Sequence, residues 1–463
     1  MPLTFTNWAL RRLTALVAAI AVFLASLPVP ASAQNLPLIR DAEIEGLMRL
    51  YTRDIFRAAG LSPGAVDVYL INNPAINAFV AGGQRIFIYT GLLQQADTPN
   101  EVIGVLAHET GHIAGGHLSR MNNEMAKASN MAIIGMLLGA AAMVGGGLAG
   151  SPEAARGGMG AVLGGQSMAQ RTMLAYARAQ EASADQAAVK FLDKTGQSGK
   201  GMLDLFETLA TQSLASSRYV NPYVLTHPMP LDRIRNLEDI VTKSPNYNKV
   251  DPPALVLRHK LMQAKLNGFL NSAQVVYQKY PPSDQSLPAR YARAIASMKV
   301  GDLQNALPAI DGLIKEIPNN PYFWELKGQA LVEGGRPAEA IAPLKQAMKL
   351  LPNSGLIALL LAQAQVGSDS PQGAQDALET LRVAQRTEGD APMVWTLSAQ
   401  AYGKLGQIPR AELATAQAAL LRGDRQLAMT KAKTALAAFP QNSPEWLKAN
   451  DILTFAKRST DEE

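Results

Sequence analysis

The chain contains His108-Glu109-Thr110-Gly111-His112, two histidines four residues apart with a glutamate between them. On a helix, residues four apart lie one turn above another on the same face, so both imidazoles can offer a ring nitrogen to one ion. Zinc accepts neutral imidazole nitrogen at about 2.0–2.1 Å, and this spacing lets two rings share it. Glu109 projects close to that face. From there it can take a proton from water acidified by the metal and return it to a leaving amine, which is the chemistry of peptide hydrolysis. A His-Glu-x-x-His pattern also arises by accident on ordinary helices. Here it uses two of only five histidines, at 108, 112, 117, 227 and 259. Cysteine is absent, which excludes thiol mechanisms, disulfides and cysteine ligands.

A catalytic zinc site needs a third protein ligand. His117 lies five residues past His112, whereas the His-x-x-Gly-x-x-His spacing of metzincins would require histidine at 118, which is Leu118. His117 is therefore not expected to bind. Glu181 is the best candidate. Leu174, Ala177, Glu181, Ala184, Ala188 and Phe191 form one helical stripe that Glu181 interrupts. A carboxylate on an inward face is costly unless it is paired or bound to metal. Asp185, one turn on, either accepts the free N–H of a ligating histidine or is a solvated helix charge.

The elements that must position these residues follow from the pattern. Residues 41–60 show helical spacing, and 66–71 read as a strand. Residues 76–81 and 85–90 are strand-like runs joined across Gly82-Gly83, the signature of a hairpin. Thr98-Pro99-Asn100-Glu101 starts the motif helix, with Thr98 as cap, Pro99 in the first turn and Glu101 completing a capping box. Residues 131–150 are uninterruptedly apolar or glycine, and with 158–170 they read as a helical hairpin insert. It is either a membrane-facing or lid-like element, or a tightly packed part of a soluble fold; so many glycines and alanines argue against a span. A helix resumes at Leu174 and closes near Gly196. After a proline-marked linker at 245–253 the texture changes to Ala/Leu-rich helix pairs. Pro318 and Pro352 lie 34 residues apart, as do Gly301 and Gly335, which is the tetratricopeptide period.

At 463 residues, two or three domains are expected, and 48% hydrophobic with 17% charged residues is a globular composition. A net charge of +5 without a basic cluster argues against nucleic-acid binding. Arg11-Arg12, an apolar run and Ala31-Ser32-Ala33 read as a secretory signal peptide cleaved after Ala33, the alternative being an uncleaved anchor. The expected plan is a leader at 1–33, a protease domain at 34–245 with the 131–170 insert, and a repeat domain at 254–463.

His108-Glu-Thr-Gly-His112, Glu181-Ala182-Ser183-Ala184-Asp185 and Thr226-His227-Pro228 together resemble the zinc peptidase family that includes the CAAX prenyl proteases, over roughly residues 41–240. The leader and the repeats point to its periplasmic branch. The resemblance implies an α+β, mostly helical zincin-type domain with a small β-sheet, followed by an all-α tetratricopeptide solenoid. It implies one zinc ion held by His108, His112 and Glu181, with Glu109 catalytic and Asp185 acting beside the metal. It further implies that His227 can take the fourth position and hold the enzyme latent, with Arg233 shaping the pocket. Asn77, Ala78 and Phe79 would belong to the edge strand that receives extended substrate. The implied clients are unfolded or stalled outer-membrane proteins, the implied partner of the repeats is the β-barrel assembly machinery, and 131–170 is a candidate for peripheral membrane contact. The competing class is a periplasmic chaperone or scaffold with a structural zinc site. The chain departs from the family's common pattern at Gly115-Gly116.

Overall fold

The computed structural model describes residues 37–458 except 63, 128, 130–151, 216–221 and 230, and only the backbone course of 152–170 and 212–215. The expected leader and the apolar segment 131–150 fall outside these residues. Helix α1 (Ala42–Ala58) starts where the Asp41 side chain accepts from the Ile44 N–H, and it buries Ile44, Leu47, Met48, Tyr51, Ile55 and Phe56. Three strands of a four-stranded sheet position the site: β1 (Asp67–Ile71), β2 (Ala78–Ala81) and β3 (Arg85–Tyr89). β3 is central, parallel to β1 and antiparallel to β2. The β2–β3 turn uses Gly82 and Gly83 at φ +58° and +95°, a region that β-carbons disfavour. β2 is left at the edge of the sheet.

After α2 (Thr90–Gln95), helix α3 (Pro99–Ala114) carries the His-Glu motif. Its capping box forms with a one-residue shift. Thr98 Oγ1 accepts from the Glu101 N–H at 3.3 Å, while Glu101 reaches back to the Asp97 N–H at 3.0 Å. α3 is nearly all buried, which explains why its apolar residues surround the motif rather than forming a stripe. Helix α4 (Pro152–Lys194) is continuous for 43 residues, so the helix expected from Leu174 begins much earlier. The stripe read along it is corrected at one end. Leu174 is 48% exposed, and the inward face begins at Glu181, where α4 meets α3. α5 (Lys200–Ala215), the short α6 (Pro222–Thr226) and α7 (Leu231–Thr242) complete this part.

The described residues from 39 to 458 form one compact unit. Helix α8 (Pro253–Leu270) contributes Met262 and Leu266 to the core around α3 and the sheet, and Leu261 and Ala264 to the first core of the repeats. His259 is fully buried in α8, facing the Tyr51 hydroxyl at 3.0 Å and the Ala96 carbonyl at 3.0 Å. Lys265, also buried, pairs with Asp41 at 2.7 Å. From there helices run from α9 (Ala273–Lys279) to α19 (Pro444–Arg458), each packed on its neighbours in sequence. Gly301 and Gly335 sit at φ +78° and +72° at equivalent turns, which explains their 34-residue spacing. No helix among the described residues is long and apolar enough to cross a membrane.

Candidate metal centre

Two helices must approach closely for Glu181 to meet the histidines of α3, and Gly111 permits it. A β-carbon there would lie 2.8 Å from the Ala184 carbonyl oxygen and 3.0 Å from its Cα. With that contact, His108, His112, Glu181 and His227 converge, and one ligand atom from each lies within 4.8 Å of the others. His108 Nε2 and His112 Nε2 are 3.0 Å apart. The two Glu181 oxygens reach them, one each, at 3.4 Å. His227 Nδ1 stands 3.4 Å from His108 Nε2 and 3.2 Å from both Glu181 oxygens. Donors about 2.0–2.1 Å from one tetrahedral ion are roughly 3.3 Å apart, so these atoms already stand at corner-to-corner distances. Imidazole nitrogen and carboxylate oxygen are also ligand types that zinc takes.

Charge makes the same point independently. Glu109, Glu181 and Asp185 are buried carboxylates beside one buried permanent cation, Arg233. A dication would bring their sum to zero. Arg233 grips Asp185 through two hydrogen bonds of 2.7 and 2.8 Å, pairs with Glu181 at 2.7 Å and donates to the Pro228 carbonyl. Its guanidinium lies 5.2 Å above the Phe206 ring. Asp185 Oδ1 is also 2.9 Å from His108 Nδ1, so Asp185 is no solvated charge.

These contacts set the proton affinities. Burial opposes ionisation of Glu181, but hydrogen bonds with His108 and His227 hold its carboxyl well below the usual range. Burial likewise opposes Asp185, and its bonds to Arg233 and His108 keep it at about 2. Burial alone would depress His108, yet Asp185 and Glu181 hold it up at about 9. Burial, reinforced by the charge on His108, pushes His112 down to about 2. Glu109 is raised by burial. Only neutral imidazole is a metal ligand, so an ion at this array would compete with a proton for His108.

The remaining residues singled out in the sequence divide. The Ala78 carbonyl lies 3.3 Å from His227 Nε2. Asn77 is buried with its side-chain oxygen unpartnered among the described residues. The Phe79 ring packs on Phe87 with centroids 5.3 Å apart. Sequence reasoning missed Gly111, the contact of His117 with His112 (Nδ1 to Nδ1, 3.0 Å), and Tyr223, which stacks on His227 at 4.5 Å. A tyrosine four residues before a histidine on a short helix was the available signal for Tyr223.

Fold and centre together define a metallopeptidase domain joined to helical repeats. Residues 42–241 match peptidase family M48, and residues 331–401 match the tetratricopeptide repeat. The chain thus carries an M48 metallopeptidase domain followed by tetratricopeptide repeats. It is 27% identical over 361 residues to the beta-barrel assembly-enhancing protease of Yersinia pestis, covering 77% of this chain and 71% of that protein. It is 24% identical over 396 residues to the protein of the same description from Escherichia coli K12, covering 84% of this chain and 77% of that protein. The metalloprotease LoiP of Escherichia coli is 30% identical over 177 residues, covering 38% of this chain and 62% of that protein.

Proposed function

We propose that the chain is a zinc-dependent endopeptidase of the periplasm that acts on unfolded or stalled outer-membrane β-barrel proteins and is held latent by His227. The observation that carries this reading is the four-donor array, with Glu109 buried beside it. The description of its relatives as beta-barrel assembly-enhancing proteases supports the client class, and the repeats support docking to the assembly machinery.

In this reading His108, His112 and Glu181 hold the ion, and Asp185 accepts from His108 Nδ1–H to fix that ring. Zinc supplies Lewis acidity, which makes water a nucleophile near neutral pH. Glu109 is fully buried and neither of its oxygens has a hydrogen-bond partner among the described residues. Burial raises its proton affinity, so it takes the proton of the attacking water and passes it to the leaving amine. β2, at the sheet edge, offers backbone groups to an extended substrate, which binds with little sequence preference. His227 blocks both functions with one ring. Its Nδ1, 3.4 Å from His108 Nε2, would take the fourth ligand position, while its Nε2 is 3.3 Å from the Ala78 carbonyl of β2. Tyr223 lies stacked against it, so α6 must move with it when the site opens.

The test is zinc content together with cleavage of casein and of an unfolded barrel protein by wild type, Glu109→Gln and His227→Ala. Glu109→Gln should keep its zinc and lose roughly 10²–10⁴-fold in rate. His227→Ala should keep zinc and cleave faster. If every cellular or in vitro activity survives Glu109→Gln, the scaffold reading wins, and zinc loss or unchanged activity in His227→Ala sinks the latch.

A further inference from the structure

The turn after α3 folds a fourth imidazole onto the centre. Gly116 adopts φ +62°, reversing the chain immediately before His117. Gly115 leaves room for the returning ring, since a β-carbon there would lie 2.2 Å from His117 Nε2 and 2.5 Å from its Cδ2. The ring is buried, at 5% exposure, and stands nearly perpendicular to His112, at 84° with centroids 5.0 Å apart. Its Nδ1 is 3.0 Å from His112 Nδ1.

The opposite nitrogen of His112, Nε2, faces His108 and Glu181. An imidazole that gives Nε2 to a metal carries its proton on Nδ1, and that proton needs an acceptor. We propose that His117 is the positioning residue for His112: its neutral ring accepts the His112 Nδ1–H and fixes the tautomer and orientation that aim Nε2 at the ion. Beside His108 Nδ1, at 2.9 Å, stands a carboxylate oxygen of Asp185. The two histidines of one motif are thus oriented by unlike partners. A neutral acceptor at His112 adds no fourth negative charge to a centre whose three carboxylates Arg233 and a bound dication would balance. Gly115-Gly116 is the local device that allows this, which explains both glycines together.

The inference rests on His112 being a metal ligand, and the experiment separates the two. In zinc-loaded, ¹⁵N-histidine-labelled full-length protein, NMR should show a slowly exchanging Nδ1 proton on His112 with a scalar coupling across to His117 Nδ1. His117→Phe keeps the bulk and removes the acceptor, and it should weaken zinc binding about 10–100-fold in competition with a chromophoric chelator. His117→Asn, whose Oδ1 replaces Nδ1, should recover most of that loss. Circular dichroism of the metal-free variants checks folding, and the NMR result stands without them. The proposal is overturned if wild type binds zinc but lacks the His112 Nδ1 proton, if His117→Phe binds as tightly as wild type, or if His117→Asn loses as much as His117→Phe. A wild type that binds no zinc overturns the metal reading itself, and this role with it.

Discussion

Arg233→Met removes the one permanent cation from a buried cluster of three carboxylates. The lost contacts are the two-point grip on Asp185 at 2.7 and 2.8 Å, the 2.7 Å pair with Glu181 and the bond to the Pro228 carbonyl. Methionine fills similar space, so the effect is chiefly electrostatic. Breaking a buried pair by removing one partner costs about 3–5 kcal/mol, because the other charges stay buried. At about 1 °C per kcal/mol for a compact unit of this length, the unfolding midpoint should fall by roughly 3–6 °C in the presence of a chelator. Zinc should then raise the midpoint of the variant by more than that of the wild type, since a dication relieves a larger excess of negative charge. Arg233→Lys should recover only part of the loss, because an ammonium cannot grip a carboxylate at two points. Scanning calorimetry with and without zinc measures all of this. An unchanged midpoint in chelator, or equal zinc increments in both proteins, refutes the charge argument.

Other outcomes can be set beside it. Gly111→Ala forces a β-carbon against the Ala184 backbone and should cost about 1–3 kcal/mol in chemical denaturation while weakening zinc binding, as α4 is pushed off α3. A variant as stable and as tightly loaded as wild type would show that the close approach is dispensable. Asp185→Asn should lower zinc affinity about 10–100-fold, read by chelator competition, through loss of the acceptor on His108. His259 gives a pH dependence remote from the centre. Burial lowers its folded pKa to about 4, below the ordinary histidine value, so the unfolded chain takes up the proton first as pH falls. Its contribution is complete above about pH 6.5 and is lost between there and about pH 4, on the order of 3 kcal/mol in all. Urea titrations across this range should show a flatter pH curve for His259→Gln; parallel curves would exclude the assignment.

Local chemistry was legible and long-range chemistry was not. The Thr98 cap, the four-residue spacing of His108 and His112, the Gly82-Gly83 turn and the 34-residue repeat each depend on neighbours in sequence, and each can be read without knowing what lies across the fold. Glu181 was reached from a stripe that fails at its first position, since Leu174 is exposed while Glu181, Ala184, Ala188 and Phe191 are buried. Periodicity marks a face but does not say how far along the helix that face is covered. Nothing in the pattern could announce that Arg233 would span 48 residues to grip Asp185, because the pairing is set by how α7 packs on α4. His117 was set aside because spacing excluded it as a ligand. Its contact with His112 depends on one backbone angle at Gly116, which sequence spacing does not report.

Helix α8 bears on how such a protein can be inherited. Its residues alternate between two cores, Met262 and Leu266 on one side and Leu261 and Ala264 on the other, and His259 ties it to α1 and Ala96. The repeats are therefore not a cassette. A recombination break within Pro253–Leu270 would split a helix whose two faces serve different neighbours, and repeats from another gene would arrive without the matching face. Change in the repeat surface is easiest at the far end, from Ile408 onward, because Ala347 and Ile357 still pack on Ala42 and Glu388 pairs with Arg40 at 2.8 Å.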